Sequence, residues 1–272
     1  MRSWLKRAAL AAVLVLGLVL PARAQQKILT VYAAASLTEA FEDIGKMYEQ
    51  QHPGTAVEFN FAGSQALVFQ MQQGAAADVF ASADNVWMQV AVDSGLTAEA
   101  PVFFAHNRLV VIIPKSNPGR VDGLENLARQ GTKVVLAADA APVGRYSRQA
   151  LRNLASQPGY PADYVRNVLR NVVSNEESVK GVVSKVQLGE ADAGIVYRSD
   201  VTEPVARVVK VLPIPESLNV RADYPIAVLK ESRQQDLARD FIALVMSAEG
   251  QSVLRRYNFI PVGSAVPAST SP

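Results

Sequence analysis

The 272-residue sequence contains no cysteine. That absence excludes disulfides, thiolate metal sites, a cysteine nucleophile and a lipid-bearing cysteine that would tether an exported chain. Histidine is nearly as scarce. His52 lies in the turn QHPG and His106 just before NRLVV, and neither stands at helical spacing from another ligand type. A metal cage or a Ser–His–Asp triad would have to recruit them across the fold. The loops GxxxxGK[ST] and GxGxxG are missing, as are HExxH and GxSxG, which removes the commonest signatures of nucleotide binding and hydrolysis. An excess of one charge is lacking too: 27 Lys and Arg face 25 Asp and Glu. Without a strong basic field, a nucleic-acid partner is not expected.

Only one long uncharged apolar run exists, Ala8–Leu20. It follows Arg2, Lys6 and Arg7 and precedes Pro21 and the small-residue stretch ARA. This order reads as a secretory signal peptide over residues 1–24, with cleavage after Ala24. The run is short for a membrane span. Cleavage leaves 23 basic and 25 acidic residues, so the expected product is a near-neutral periplasmic protein with no stable membrane insertion.

What remains is an alternation of short β-rich runs and amphipathic helical patterns. KILTVYAAA, TAVEFNFAG, ADVFASA, RLVVIIP, KVVLAA, NVVS, ADAGIVY, ARVVKVLPI and YPIAVLK read as strands. Helices are expected from Leu37 to the glutamines before His52, over 64–73, 85–94, 123–130, 145–156 and 179–188, and over 233–246 and 248–257. Such alternation predicts an α/β fold of parallel βαβ units. The closing stretch GSAVPASTSP reads as a flexible tail over residues 264–272.

In such sheets, ligands bind beyond the carboxyl ends of strands, where helix N-termini converge. Four junctions qualify. Ser36 opens S-x-x-E with Glu39, which also reads as a plain capping box. Ser64 follows FAG, where a cap is again the ordinary reading. Each serine offers a hydroxyl beside free N–H groups, and the small Ala33, Ala34, Ala35, Ala62 and Gly63 leave room for an anion. In DAAPVGRY, Pro142 and Gly144 shape a turn that presents the Val143 N–H. In NEESVKGVV, Val179 sits in a first helical turn behind Glu176 and Glu177, so only backbone can serve an anion there. Tyr197 ends GIVY and can donate its hydroxyl into a cleft.

The stretches YAAASLTEAF, FAGSQAL, GAAADVFASAD, APVGRYSRQAL, EESVKGVVSKVQLGEADAGIVYRSD, YPIAVLK and LRRYNFIP occur in an order that resembles the molybdate-binding proteins of ABC transporters. The resemblance spans essentially the whole chain after the leader. It implies a two-lobed periplasmic binding protein fold of type II, each lobe a mainly parallel sheet flanked by helices, with ligand in the interlobe cleft. Crossings near His106–Arg108 and Asp223–Pro225 would make residues 25–106 with 224–263 lobe one, and 107–223 lobe two. It further implies a monomer that carries molybdate or tungstate to a membrane permease, uses no cofactor and is not an enzyme. The ligand-binding residues it implies are Ser36, Ser64, Val143, Val179 and Tyr197. Two positions depart from the relative compared: Val143 replaces an alanine and Arg145 an apolar residue. No carboxylate can be assigned to the metal, so a tetrahedral oxyanion is expected. The alternatives are a carrier of sulfate, phosphate or an organic acid, and a periplasmic hydrolase using Ser36 or Ser64.

Overall fold

A computed structural model describes residues 26–263. The expected leader and tail lie outside the described residues. The chain begins with β1 (Lys27–Ala34), a 3₁₀ turn at Ala35–Leu37, α1 (Thr38–Gln51), β2 (Thr55–Ala62), α2 (Ser64–Gln72), β3 (Val79–Ala81), α3 (Asn85–Asp93) and β4 (Val102–Asn107). It continues with β5 (Leu109–Pro114), β6 (Val134–Ala137), α4 (Pro142–Ala155), α5 (Tyr164–Arg170), β7 (Val172–Glu176), α6 (Val179–Gln187), β8 (Ala193–Tyr197), α7 (Glu203–Ala206) and β9 (Val209–Pro213). β10 (Ala222–Val228), α8 (Gln235–Met246), α9 (Ala248–Arg256) and β11 (Ile260–Pro261) close it.

The strands form two sheets, one per lobe. Their orders are β11-β4-β10-β3-β1-β2 and β7-β6-β8-β5-β9. The parallel part of each is the βαβ core, β2-β1-β3 in one and β7-β6-β8 in the other. The other strand pairings are antiparallel, so both sheets are mixed. The reason is local. β4 and β5 are separated by Arg108 alone, and the strands that carry the chain between sheets cannot be joined by helical crossovers.

Burial follows the sequence patterns. β5, LVVIIP, is buried at every position, as a strand paired on both sides and covered on both faces must be. In α1, Ala40, Phe41, Ile44 and Tyr48 face the core, where Phe41 packs against Phe104 and Phe241. No helix among the described residues is long and apolar enough to cross a membrane.

Register decides where the loops meet. Ala34 of β1 pairs with Ala62 of β2, and Ala33 with Ala81 of β3. Residues two beyond Ala34 and Ala62 therefore leave the sheet at the same level; they are Ser36 and Ser64. In the second sheet, Ala137 of β6 lies opposite Glu176 of β7, which brings the starts of α4 and α6 together.

Three sequence expectations change. The segment 123–130 is a 3₁₀ helix over Leu124–Ala128 rather than an α-helix. The helix expected at Arg145 starts at Pro142, so the expected turn is the first turn of α4. Proline suits that position, since its fixed φ is helical and its missing N–H would have no acceptor there. β4, α5, α7 and β11 were not expected: VFFAHN is short and half exposed, α5 offers only the Tyr164–Val168 pair as an apolar stripe, and α7 and β11 are four and two residues long.

Candidate functional site

The four junctions meet in one small cavity of about 20 Å³. Ser36, Ser64, Val143, Val179 and Tyr197 all line it, with Ala34, Ala35, Ala62, Gly63, Ala83, Ala141, Pro142 and Ser178. Its volume falls below the roughly 300–1,000 Å³ of sites for drug-sized molecules. Not one lining residue is charged. A wider hollow beside α5 is lined from the single segment 162–170 and gathers no convergent groups.

The cavity is walled by helix starts. α1, α2, α4 and α6 have no side-chain cap, whereas Asp84 caps α3 and Ser247 caps α9. First-turn N–H groups have no acceptor inside their own helix. Those of Ser64, at the start of α2, of Val143, in the first turn of α4, and of Val179, at the start of α6, therefore remain as donors, with the helix dipoles adding positive potential.

The capping-box reading of Ser36 fails. Ser36 lies within the 3₁₀ turn, not at the N-cap of α1, and its Oγ is 2.9 Å from Tyr224 Oη. Its supposed partner Glu39 accepts instead from Lys180 Nζ at 2.7 Å. Ser64 is not a cap either. It is the first residue of α2, and its Oγ accepts the Ala83 N–H at 3.0 Å. That bond occupies a lone pair of Ser64 and leaves its hydroxyl hydrogen available to the cavity.

Tyr197 is 1% exposed and ends β8 beside the cavity. Its Oη is buried with no hydrogen-bond partner, a costly state for a hydroxyl unless an acceptor arrives. Burial, reinforced by neighbouring Tyr224 and Tyr146, holds its pKa well above the usual phenol range, so it stays a donor. Behind it, Asp200 Oδ2 accepts the Tyr197 N–H at 3.0 Å. Burial pushes the Asp200 carboxyl up to about 7, against the pull of Lys180.

Side chains from the two lobes meet around the rim. Lys180 bridges to Glu39, Trp87 Nε1 donates to the Ala140 carbonyl at 2.8 Å, and Gln65 Nε2 to the Glu177 carbonyl at 2.7 Å. Arg145 does not line the cavity. Its guanidinium pairs with Asp84, whose side chain is 2% exposed, and also donates to the Ala140 carbonyl at 3.0 Å. The cation foreseen near the site is thus neutralised across the cleft. Val143 offers only its first-turn backbone, and Glu176 and Glu177 are absent from the lining.

Neither histidine reaches the serines. His106 Nδ1 is 2.6 Å from Asp223 Oδ1, and His52 Nδ1 is 3.0 Å from the Tyr48 carbonyl. Among the described residues no cluster of three or more His, Asp or Glu could hold a metal ion. Sequence reasoning missed Tyr224, which touches Ser36 from behind the cavity, and Asn107, which touches Tyr224. YPIAVLK carried the signal for Tyr224, since it fell at an expected crossing; Asn107 carried none.

Comparison with known proteins agrees with this architecture. The profile of a family described as "Bacterial extracellular solute-binding protein" matches residues 29–260. The molybdate-binding protein ModA of Mycobacterium tuberculosis is 40% identical over 231 residues, covering 85% of this chain and 84% of the relative. Among solved structures, the periplasmic molybdate-binding protein of Azotobacter vinelandii superposes with a TM-score of 0.73 at 19% identity, covering 85% of this chain and 98% of that one. The sulfate-binding protein SubI of M. tuberculosis superposes with 0.78 at 17% identity, covering 87% and 88%. At such identities the structures speak to the fold alone.

Proposed function

The chain belongs to the family of bacterial extracellular solute-binding proteins, and from that premise we propose that it captures molybdate and delivers it to an ABC importer. The observation that carries this reading is the uncharged cavity, into which two serine hydroxyls, a buried tyrosine hydroxyl and several helix starts converge. The identity to a molybdate-binding relative supports the choice of anion. The protein acts by binding and release rather than by catalysis.

Molybdate at neutral pH is a dianion without protons, so it accepts hydrogen bonds only. Ser64 offers its hydrogen with a lone pair already engaged by Ala83. A monoprotonated oxyanion would need an acceptor, which such a group supplies poorly. Helix starts hold negative charge without lysine or arginine. Size then separates anions of equal charge: a shell fitted to molybdate leaves the smaller sulfate short of some donors. Tungstate matches molybdate in size and charge, and we propose that it binds comparably.

Ser36, Ser64, Tyr197 and the N–H groups of Val143 and Val179 are the proposed ligand-binding groups. The proposed lobes are residues 25–106 with 224–263, and residues 107–223, turning about β4 and β10 as an anion bridges them. A periplasmic monomer released by signal cleavage after Ala24, which presents its closed form to the permease, completes the proposal.

Isothermal titration with molybdate tests the site. Ser36→Ala and Ser64→Ala should each weaken binding by about 1.5–3 kcal/mol, the usual worth of a hydrogen bond to a charged group. Unchanged affinity in both would remove the site assignment. In competition, a large excess of sulfate should leave bound molybdate in place while tungstate displaces it. Displacement by sulfate would shift the reading to a sulfate carrier.

A further inference from the structure

Ser36 can spend its single hydrogen on Tyr224 or on the cavity, and its neighbours settle which. The chain of contacts begins at Asn107, buried at the end of β4. Its Oδ1 accepts the Arg108 N–H at 2.9 Å, which fixes the amide orientation. The Nδ2 group therefore faces the other way, toward Ser199 Oγ at 2.9 Å and Tyr224 Oη at 3.5 Å. Tyr224 is fully buried on β10. Burial holds its pKa well above the usual phenol range, so the hydroxyl keeps its hydrogen. With amide hydrogens directed at its oxygen, that hydrogen has one acceptor, Ser36 Oγ at 2.9 Å. The reverse polarity would aim the phenol hydrogen at the hydrogens of Nδ2.

We propose that Tyr224, held by Asn107, is a positioning residue that points the Ser36 hydroxyl hydrogen into the cavity. This rests on the reading of the cavity as the oxyanion site. The hydrogens run in one direction, from Asn107 to Tyr224 to Ser36 to the anion, so the serine is set as a donor before the ligand arrives. Hydrogen bonds in such a chain polarise one another. The chain also lies where the lobes join. Asn107 ends the strand that leaves the first sheet, Tyr224 lies on the strand that returns to it, and Ser199 belongs to the second lobe. The direction of one donor is thereby tied to the packing of the crossing strands.

A double-mutant cycle read by calorimetry with molybdate tests the proposal, with thermal unfolding of each ligand-free variant as a check on the fold. Tyr224→Phe keeps the ring and its edge-on packing against Phe104 and Phe259, and should weaken binding about three- to tenfold. In the Ser36→Ala background the same change should cost nothing further, because no hydroxyl remains to be aimed. A structural role for Tyr224 would instead give equal losses in both backgrounds, and that result overturns the proposal. So does unchanged affinity in Tyr224→Phe beside a weakened Ser36→Ala, which leaves the site reading intact. Wild-type affinity in Ser36→Ala removes both. Should Tyr224→Phe unfold, Asn107→Leu keeps the phenol in place and adds no charge beside the anion. Without the amide hydrogens the phenol is no longer held as a donor to Ser36, and the resulting loss of affinity must again vanish with Ser36→Ala; if it persists there, the proposal falls.

Discussion

Gly144→Ala should cripple both stability and molybdate binding. In the first turn of α4, a Cβ at this position would lie 1.9 Å from the Ala138 carbonyl oxygen and 2.7 Å from that of Ala137. Both obstacles are backbone at the end of β6, so no side-chain rotation relieves them. The start of α4 would have to withdraw from the strand by more than an ångström, carrying the Val143 N–H out of line with the cavity. Overpacking of this kind costs about 1–3 kcal/mol, more where backbone is the obstacle. For a chain of this size, 3 kcal/mol lowers the melting temperature by about 6–12 °C. Helix propensity alone predicts the opposite, since alanine is favoured over glycine inside a helix by about 1 kcal/mol. The sign therefore decides the matter. A variant that melts higher and binds normally would show that α4 does not need this close approach.

The second large effect is expected at Arg145. Its partner Asp84 caps α3, accepting the Trp87 N–H at 2.9 Å, and is buried. Burial raises its pKa, while the Trp87 N–H and Arg145 act against that rise. Arg145→Ala leaves the carboxylate buried without its cation, a change that costs up to about 3–5 kcal/mol. On the proposed hinge motion, opening the lobes separates Asp84 from Arg145 and returns it to water, so the penalty should fall on the closed state and appear as lost affinity, on the order of a hundredfold. Scattering should then show a larger radius of gyration at molybdate concentrations that close the wild type. Asp84→Asn in the same chain should recover much of the loss, because asparagine caps a helix as well as aspartate does and carries no charge to strand. Equal affinity in wild type and Arg145→Ala would mean that the pair does not stabilise closure.

These two positions mark the limit of what could be read along the chain. Four of the donors were legible because each follows a strand signal and stands at or just before a helix signal, and Tyr197 because it ends a strand signal. Ser36, Ser64, Val143, Val179 and Tyr197 were named from such junctions and from a family resemblance, and they line one cavity. Local pattern misled where two local explanations shared one spacing. S-x-x-E at Ser36 satisfies the capping-box rule, yet the serine falls inside a 3₁₀ turn and its glutamate crosses to Lys180. The turn expected at Pro142 is helix, because proline and glycine are also the residues that allow a helix to start tightly against a strand.

The sequence by itself determined the alternation of strands and helices, the small residues that clear the cavity and the hydroxyls and helix starts that can face an anion. Each depends on neighbours within a turn or two. Only the tertiary structure decided the strand register that brings those groups level, the pairing of Arg145 with Asp84 and the aim of Ser36 by Tyr224. Ser36 and Tyr224 are separated by 188 positions, and Arg145 and Asp84 by 61. No local periodicity encodes such partners, because packing of whole sheets sets the distance between them.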